Sequence, residues 1–347
     1  MVENRRTRFA VVAPFPPPPA GMSLQADYIA RRLEADGAEV IRVDTIPTGK
    51  RKPRLLRFPG FYRNLWDIRK CDKAIVFAGS SYGYFAFTTP AVFFAKLTRK
   101  EVYVLVKGGM TDVFYARWRF LVIPTLTVSD GVFTPGEFLR RVLAKYNIKA
   151  RVLPDIIDPD ILCNCREPAD VSAPRLVIAR NLYPIYRVDH AIRAFSLVKR
   201  EFPAAQLHIA GDGEERNRLE RMAGDIGDIY FYGWVGREKL NELLRTATLL
   251  VNCNVYDNHP NSIIEAMMIG LPVVAYGVGG IPYIIEDGRT GVLVPSGDIK
   301  ALADAIIGLV KDPARTERIT AEAKAAAPRY FWSFSRRGLM NVFKRNR

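Results

Sequence analysis

Histidine is scarce in this 347-residue chain: His190, His208 and His259 are the only three, and the first 189 residues contain none. No H-E-x-x-H pattern exists, so a zinc helix is excluded and no metal is required. Cysteine is also rare. Cys71, Cys163, Cys165 and Cys253 are irregularly spaced, and Cys163-x-Cys165 has no partner pair. Neither a disulfide framework nor a zinc knuckle is expected, and free thiols in a reducing cytoplasm are the default. No apolar run approaches the roughly 20 residues of a membrane span. Met1–Arg8 leads straight into a strand rather than into a signal-peptide core. Internal repeats and long low-complexity tracts are missing too, and Pro16–Pro19 reads as a stiff loop.

Acid is missing in one place. Residues 328–347 carry six basic side chains and no carboxylate, in a chain of formal net charge +15. Residues 1–165 hold 26 basic and 15 acidic side chains, whereas 166–327 are nearly balanced. Such asymmetry points to an anionic partner for the first half. Lys50–Lys70 concentrates it, with eight basic residues against one acid, interleaved with Leu55, Phe58, Phe61, Tyr62, Leu65 and Trp66. Cations among aromatics suit an anionic membrane surface. The same composition also fits a solvated face or a nucleic-acid contact. The reading adopted is a membrane surface and no nucleic acid.

The order of elements is α/β. Arg8–Ala13 is a buried strand and Ser23–Ala35 an amphipathic helix. Strands follow at Lys73–Ala78, Glu101–Lys107 and Gly131–Thr134, then a helix to Tyr146 and a last strand at Val152–Pro154. Residues 158–174 read as a linker, and Asp158-Pro-Asp160 within it as a turn rather than a metal site. The pattern then repeats, with strands at Arg175–Ala179, Gln206–Ala210, Ile229–Tyr232 and Thr248–Val251 separated by helices. Alternation of this kind predicts parallel sheets, with ligands at the carboxyl ends of the strands. Ala210-Gly-Asp-Gly-Glu is too incomplete to be a dinucleotide fingerprint.

The most informative segment is Asp257–Pro295. Asp257 and Glu265 are two carboxylates eight positions apart across a loop-to-helix junction. Ser262-Ile-Ile-Glu265 matches a capping box, with Gly270 and Pro272 ending the helix. The alternative for Glu265 is a ligand contact. A helix start presents N–H donors and a positive dipole end to an anion. Leu271–Tyr276 then reads as a buried strand, followed by Gly277, Gly279 and Gly280 in a close turn.

These residues resemble retaining glycosyltransferases of family 4. Their signature is two acidic residues with seven between, then EAM-x-x-G-x-PVVA, GG-x-x-E-x-I and DG-x-TG-x-LV. Here stand Glu265-Ala-Met, Gly270-Leu-Pro-Val-Val-Ala, Gly279-Gly280 and Asp287-Gly-Arg-Thr-Gly-Val-Leu-Val. Asp257 replaces the usual glutamate, and Tyr283 stands where another is frequent. The resemblance implies a GT-B fold: two Rossmann-like doubly wound domains with an interdomain cleft and a C-terminal helix returning to the first domain. The expected division is 1–160 for the acceptor, 161–327 for a nucleotide sugar, and 328–347 for the returning basic helix.

The resemblance also implies roles. Glu265 would hold ribose hydroxyls and Asp257 sugar hydroxyls. Arg180, whose planar fork pairs two oxygens, would grip the diphosphate with backbone N–H groups near Asn261, Ser262 and Ile263. Where the family has a lysine six or seven residues after this arginine, the chain has Tyr186 and Arg187. Arg187 is either its substitute or a solvated helix start. Trp234 and Val235 would flank the nucleobase unless Trp234 is simply packed. Gly21 would offer N–H groups to a phosphate or acceptor. Lys107 stands near the position of a family histidine and would meet an anionic acceptor or the diphosphate. The function implied is metal-independent, retaining sugar transfer from a nucleotide-diphosphate sugar, without cofactor, to a lipid-linked or glycan acceptor at the cytoplasmic membrane face. The alternative is a catalytically silent GT-B-like adaptor for a membrane or polyanion.

Overall fold

The structure, a computed structural model, describes residues 6–16, 21–45, 58–157, 167 and 170–344. Asp158-Pro-Asp160, Cys163 and Cys165 lie outside them, as do Arg51, Lys52, Arg54, Arg57 and the side chain of Phe58. The chain divides into two compact units, residues 1–156 with 335–347, and 157–334.

The first unit is a six-stranded parallel sheet. Its strands are β1 (Arg8–Ala13), β2 (Glu39–Asp44), β3 (Lys73–Ala78), β4 (Glu101–Val106), β5 (Gly131–Thr134) and β6 (Ala150–Val152), in the spatial order β2-β1-β3-β4-β5-β6. β1, β3 and β4 are continuous runs of buried Val, Ile, Ala and Phe, as central strands covered on both faces must be. β2 escaped the sequence reading. It is an edge strand in which only Val43 is buried, so Glu39 and Arg42 break the apolar run. β6 lies two residues earlier than expected. Helices α1 (Gly21–Ala35), α2 (Phe58–Leu65), α3 (Thr89–Leu97), α4 (Thr111–Arg117), α5 (Arg119–Thr127) and α6 (Glu137–Ala144) complete the unit. A π-helical turn over Tyr84–Thr88 runs into α3. α2 was missed because its Pro59-Gly60 pair reads as a turn, and α3 to α5 because aromatic and aliphatic residues occupy both their inner and outer faces and blur the helical period.

Phe61 is fully buried and packs edge-on against Phe87, with ring centroids 5.0 Å apart. It therefore belongs to the core and is not the surface aromatic its neighbours in sequence suggested. Trp66, by contrast, is exposed, and the Arg69 guanidinium lies 4.7 Å from its ring.

The second unit repeats the architecture with β7 (Arg175–Ala179), β8 (Gln206–Ala210), β9 (Ile229–Gly233), β10 (Leu249–Asn252), β11 (Val273–Tyr276) and β12 (Val292–Val294), ordered β12-β11-β10-β7-β8-β9 and all parallel. Strand order reverses between β7 and β10, so the sheet opens a crevice at their carboxyl ends. Its helices are α7 (Val188–Glu201), α8 (Arg216–Gly224), α9 (Arg237–Arg245), α10 (Asn261–Ile269), α11 (Ile299–Lys311) and α12 (Pro313–Ala326). Core residues Leu176, Ile178, Phe195, Leu207 and Val251 fill one side of the sheet. Val177, Leu250, Ile263, Met267 and Ala275 fill the other. A last helix, α13 (Trp332–Lys344), contributes its residues from Ser335 onward to the first unit, where Arg336 Nε donates to Asp36 Oδ2 at 2.8 Å.

Candidate functional site

The crevice of the second sheet gathers most of the residues singled out in the sequence. Arg180 follows β7 directly. Its Nη2 is ion-paired with Asp257 Oδ2, and its guanidinium sits 4.7 Å from the ring of Tyr186. Tyr186, which stands where a lysine was looked for, is therefore a platform that orients the arginine through a cation–π contact. Burial draws the Arg180 pKa down, and Tyr186 opposes this. Arg180 Nε is buried without a hydrogen-bond partner among the described residues.

Two glycine turns hold these loops in place. Arg180 N–H donates to Ala210 O at 2.9 Å, and Leu182 N–H to Asp212 O at 3.0 Å. A Cβ on Gly211 would overlap the Arg180 carbonyl, so Gly211-Asp-Gly213 serves as a cradle for the arginine loop. On the other side, Asp257 Oδ2 accepts from Asn254 Nδ2 at 2.7 Å and Oδ1 from the His259 N–H at 3.1 Å. Asp257 O accepts from Gly280 N–H at 2.8 Å. A side chain on Gly280 would collide with the Asn258 carbonyl. The glycines of the Gly279-Gly280 pair thus permit the carboxylate loop to lie against the next turn.

The capping-box expectation is wrong. α10 begins at Asn261 with Pro260 before it, and no side chain caps that end. Ser262 is already inside the first turn, so it cannot serve as the cap, and Glu265 reaches elsewhere. Glu265 is 5% exposed, and its Oε1 accepts from Arg237 Nη1 at 2.7 Å. Arg237, the first residue of α9, was not singled out because nothing in its local pattern separates it from a solvated helix charge. Asn261 Oδ1 and Asn254 Oδ1 are buried and unpartnered among the described residues. A buried polar atom with no partner costs free energy unless a ligand or water meets it. A small cavity of about 10 Å³ behind Arg180 is lined by Tyr186, Asn252, Cys253, Asn254 and Ser262.

Other expected residues lie differently. Arg187 is left-handed (φ 44°) at the start of α7, and its Nε and Nη2 each donate to Asp189 at 3.1 Å. Burial works to raise the Asp189 carboxyl, but Arg187 overcomes it and the net shift is downward. Arg187 is thus committed to Asp189. Next to this pair, His190 Nδ1 and the Tyr276 hydroxyl share a hydrogen bond of 2.9 Å. Burial, aided by Arg187, lowers the imidazole pKa. Trp234 is 62% exposed, while Val235 packs partly into the core, so the pair is split between solvent and interior. Ile263 is a core residue, leaving only its backbone for a ligand, and that N–H donates to Pro260 O at 3.1 Å.

In the first unit, Lys107 follows β4 but is not a free cation: it is buried and ion-paired with Asp155. Gly21 opens α1, and no described residue approaches its Cβ position. Among the described residues no three of His, Cys, Asp or Glu gather to hold a metal. None of the helices there is long and apolar enough to cross a membrane.

Residues 173–312 match the family model described as glycosyl transferases group 1. The chain is 33% identical over 240 residues to the phosphatidyl-myo-inositol mannosyltransferase of Mycobacterium leprae (strain TN), covering 63% of each. It is 27% identical over 191 residues to the poly(glycerol-phosphate) alpha-glucosyltransferase of Bacillus subtilis (strain 168), covering 51% of this chain and 28% of that protein. The chain thus spans less than two thirds of the length of either relative. Among solved structures, Anabaena Alr3699/HepE in complex with UDP-glucose is 16% identical with a TM-score of 0.74, covering 98% of this chain and 100% of that one. The glycosyltransferase from Rickettsia africae ESF-5 is 14% identical with a TM-score of 0.78, covering 99% and 98%. The fold is the two-domain α/β GT-B fold of these glycosyltransferases.

Proposed function

We propose that this chain is a retaining, metal-independent glycosyltransferase that moves a sugar from a nucleotide-diphosphate sugar to a glycan or lipid-linked acceptor. The observation that carries it is the convergence of Arg180, Asp257, Glu265 and the uncapped start of α10 at the switch point of the second sheet. Glu265, steadied by Arg237, accepts from the ribose diol. The N–H groups of Asn261 and Ser262 at the start of α10 and Arg180 meet the diphosphate, whose charge grows as the glycosidic C–O bond breaks. Asp257 accepts from sugar hydroxyls. It does so with its carboxylate already placed by Asn254 and the His259 N–H.

Retention follows from attack on the face the leaving group departs from. The acceptor oxygen bonds to the anomeric carbon, the bond to phosphate breaks, and the acceptor proton passes to the departing phosphate oxygen. Positive charge comes from arginine and helix dipole, so no divalent ion is needed. The named relatives act on a phosphatidyl-myo-inositol and on a poly(glycerol-phosphate), and the Anabaena structure holds UDP-glucose. These support a nucleotide-sugar donor and an acceptor that is itself anionic or lipid-borne. The basic Lys50–Lys70 segment fits such an acceptor at the inner face of the cell membrane.

The test is a screen of nucleotide sugars for thermal stabilisation and slow donor hydrolysis, since a ligand bound only by the folded state raises its melting temperature. Stabilisation by one nucleotide sugar, with release of its sugar, is the expected result. Stabilisation without turnover under any acceptor condition would favour the silent adaptor.

A further inference from the structure

Helices α4 and α5 meet at Trp118, and the outer side of this corner is apolar. Phe120 is 78% exposed, Leu121 54%, Val113 53% and Met110 46%; Tyr82, 75% exposed, lies beside Trp118 with ring centroids 6.2 Å apart. Met110 directly precedes α4 in a left-handed conformation (φ 53°), and Val113 and Arg117 follow helical spacing along one face of α4; on α5, Phe120, Leu121 and Pro124 do the same. Trp118 is anchored edge-on against Phe85 at 5.4 Å, which fixes the base of the patch. Single exposed hydrophobics need no explanation, but five gathered at one corner do.

Two cations frame it. Arg119 Cζ stands 4.7 Å from the Phe120 ring and Arg117 Cζ 5.9 Å from the Trp118 ring. Neither is ion-paired among the described residues. We propose that the α4–α5 corner inserts into an anionic phospholipid bilayer, with Phe120, Leu121, Val113 and Met110 entering the acyl boundary and Arg117 and Arg119 meeting headgroup phosphates. This deepens the membrane-borne acceptor reading above and rests on it. It also names an element separate from the basic Lys50–Lys70 segment.

Charge complementarity selects this occupant. A second copy docked by symmetry would bring Arg117 and Arg119 against the same two cations. A nucleic acid would gain from the arginines and rings but not from Leu121, Val113 and Met110, which have no π-face to stack on. A bilayer with acidic lipid uses both halves of the patch, since arginines remain at headgroup depth while apolar tips go deeper.

The test is flotation of the full chain with vesicles of phosphatidylcholine alone or mixed with phosphatidylglycerol. The comparison is with the double variants Phe120→Ser/Leu121→Ser and Arg117→Gln/Arg119→Gln. All four sites are on the surface, and a melting curve confirms that each variant is folded. The unsubstituted protein is expected to float only with phosphatidylglycerol. The serine pair should lose the part of binding that survives high salt, and the glutamine pair the part that salt removes. Flotation of the serine pair equal to that of the parent would overturn the proposal. So would a concentration-dependent dimer abolished by the same substitutions, or capture of single-stranded RNA in place of vesicles. Donor hydrolysis measured on the same samples keeps the two readings apart. Flotation without any donor turnover would sink the transferase and leave the docking corner standing, whereas turnover with unchanged flotation of the serine pair does the reverse.

Discussion

At the residue scale, the chemistry rests on ion pairs that hold their charges ready. Glu265 is buried while its partner Arg237 is partly exposed, so glutamine keeps a hydrogen bond to an arginine that water still reaches, and the stability loss should stay within about 1–2 kcal/mol. In the proposed function the carboxylate's hold on a ribose diol is charge-assisted, and Glu265→Gln should weaken nucleotide binding by about 1–3 kcal/mol. Calorimetry of nucleotide binding beside a melting curve checks this; a large drop in melting temperature with unchanged affinity would make Glu265 purely structural. Arg180→Lys is a sharper probe than Arg180→Ala. Lysine keeps the charge but loses the planar fork that lies over Tyr186 and pairs with Asp257. It should lower kcat more than donor affinity, because diphosphate charge grows toward the transition state. Recovery of full turnover by lysine would show that charge alone matters.

At the element scale, turns and strand neighbours decide. Gly280→Ala drives a methyl into the Asn258 carbonyl, so the loop carrying Asp257 must shift. A loss of about 1–3 kcal/mol is expected from overpacking, together with most of the turnover, both measurable on one sample. In β8, His208 is buried between Tyr230 and Tyr232, with its Nδ1 2.8 Å from the Tyr232 hydroxyl. Burial, helped by Arg175 and Lys239, lowers its pKa to about 4. The unfolded chain takes up this proton near pH 6.5, so protons favour unfolding between those values. The stabilisation is complete above pH 6.5 and is lost as pH falls toward 4, amounting to at most ~3 kcal/mol. In His208→Gln the fall in melting temperature between pH 7 and pH 4.5 should be smaller than in the parent; an equal fall would assign the acid sensitivity to other groups.

At the scale of the whole molecule, two parallel sheets place their ligand edges by topology, and in the proposed function the cations and helix N–H groups of the second take up the diphosphate charge without a metal. Activity is expected to survive EDTA. Its loss, with restoration by magnesium or manganese, would contradict the proposed charge balance. Most strands of both sheets were readable in the sequence, because a buried parallel strand has to be apolar on both faces. The edge strands β2 and β12 and helices α2 to α5, α11 and α12 were not read: in β2 and α3 to α5 exposed residues break or blur the period, and β12 is only three residues long.

The amino-acid sequence by itself determined the alternation of strands and helices, the asymmetry of charge and the cluster from Asp257 to Pro295, because these depend on composition and short spacing. It placed Arg180, Asp257 and Glu265 on the right elements. Only the tertiary structure decided their partners. Tyr186 rather than a second cation backs Arg180, Arg237 rather than a capping hydroxyl holds Glu265, and Asp155 takes the charge of Lys107. The physical reason is distance along the chain. Arg180 and Asp257, Arg237 and Glu265, and Lys107 and Asp155 are separated by tens of residues, and no local pattern records which distant side chain will share a buried position with another.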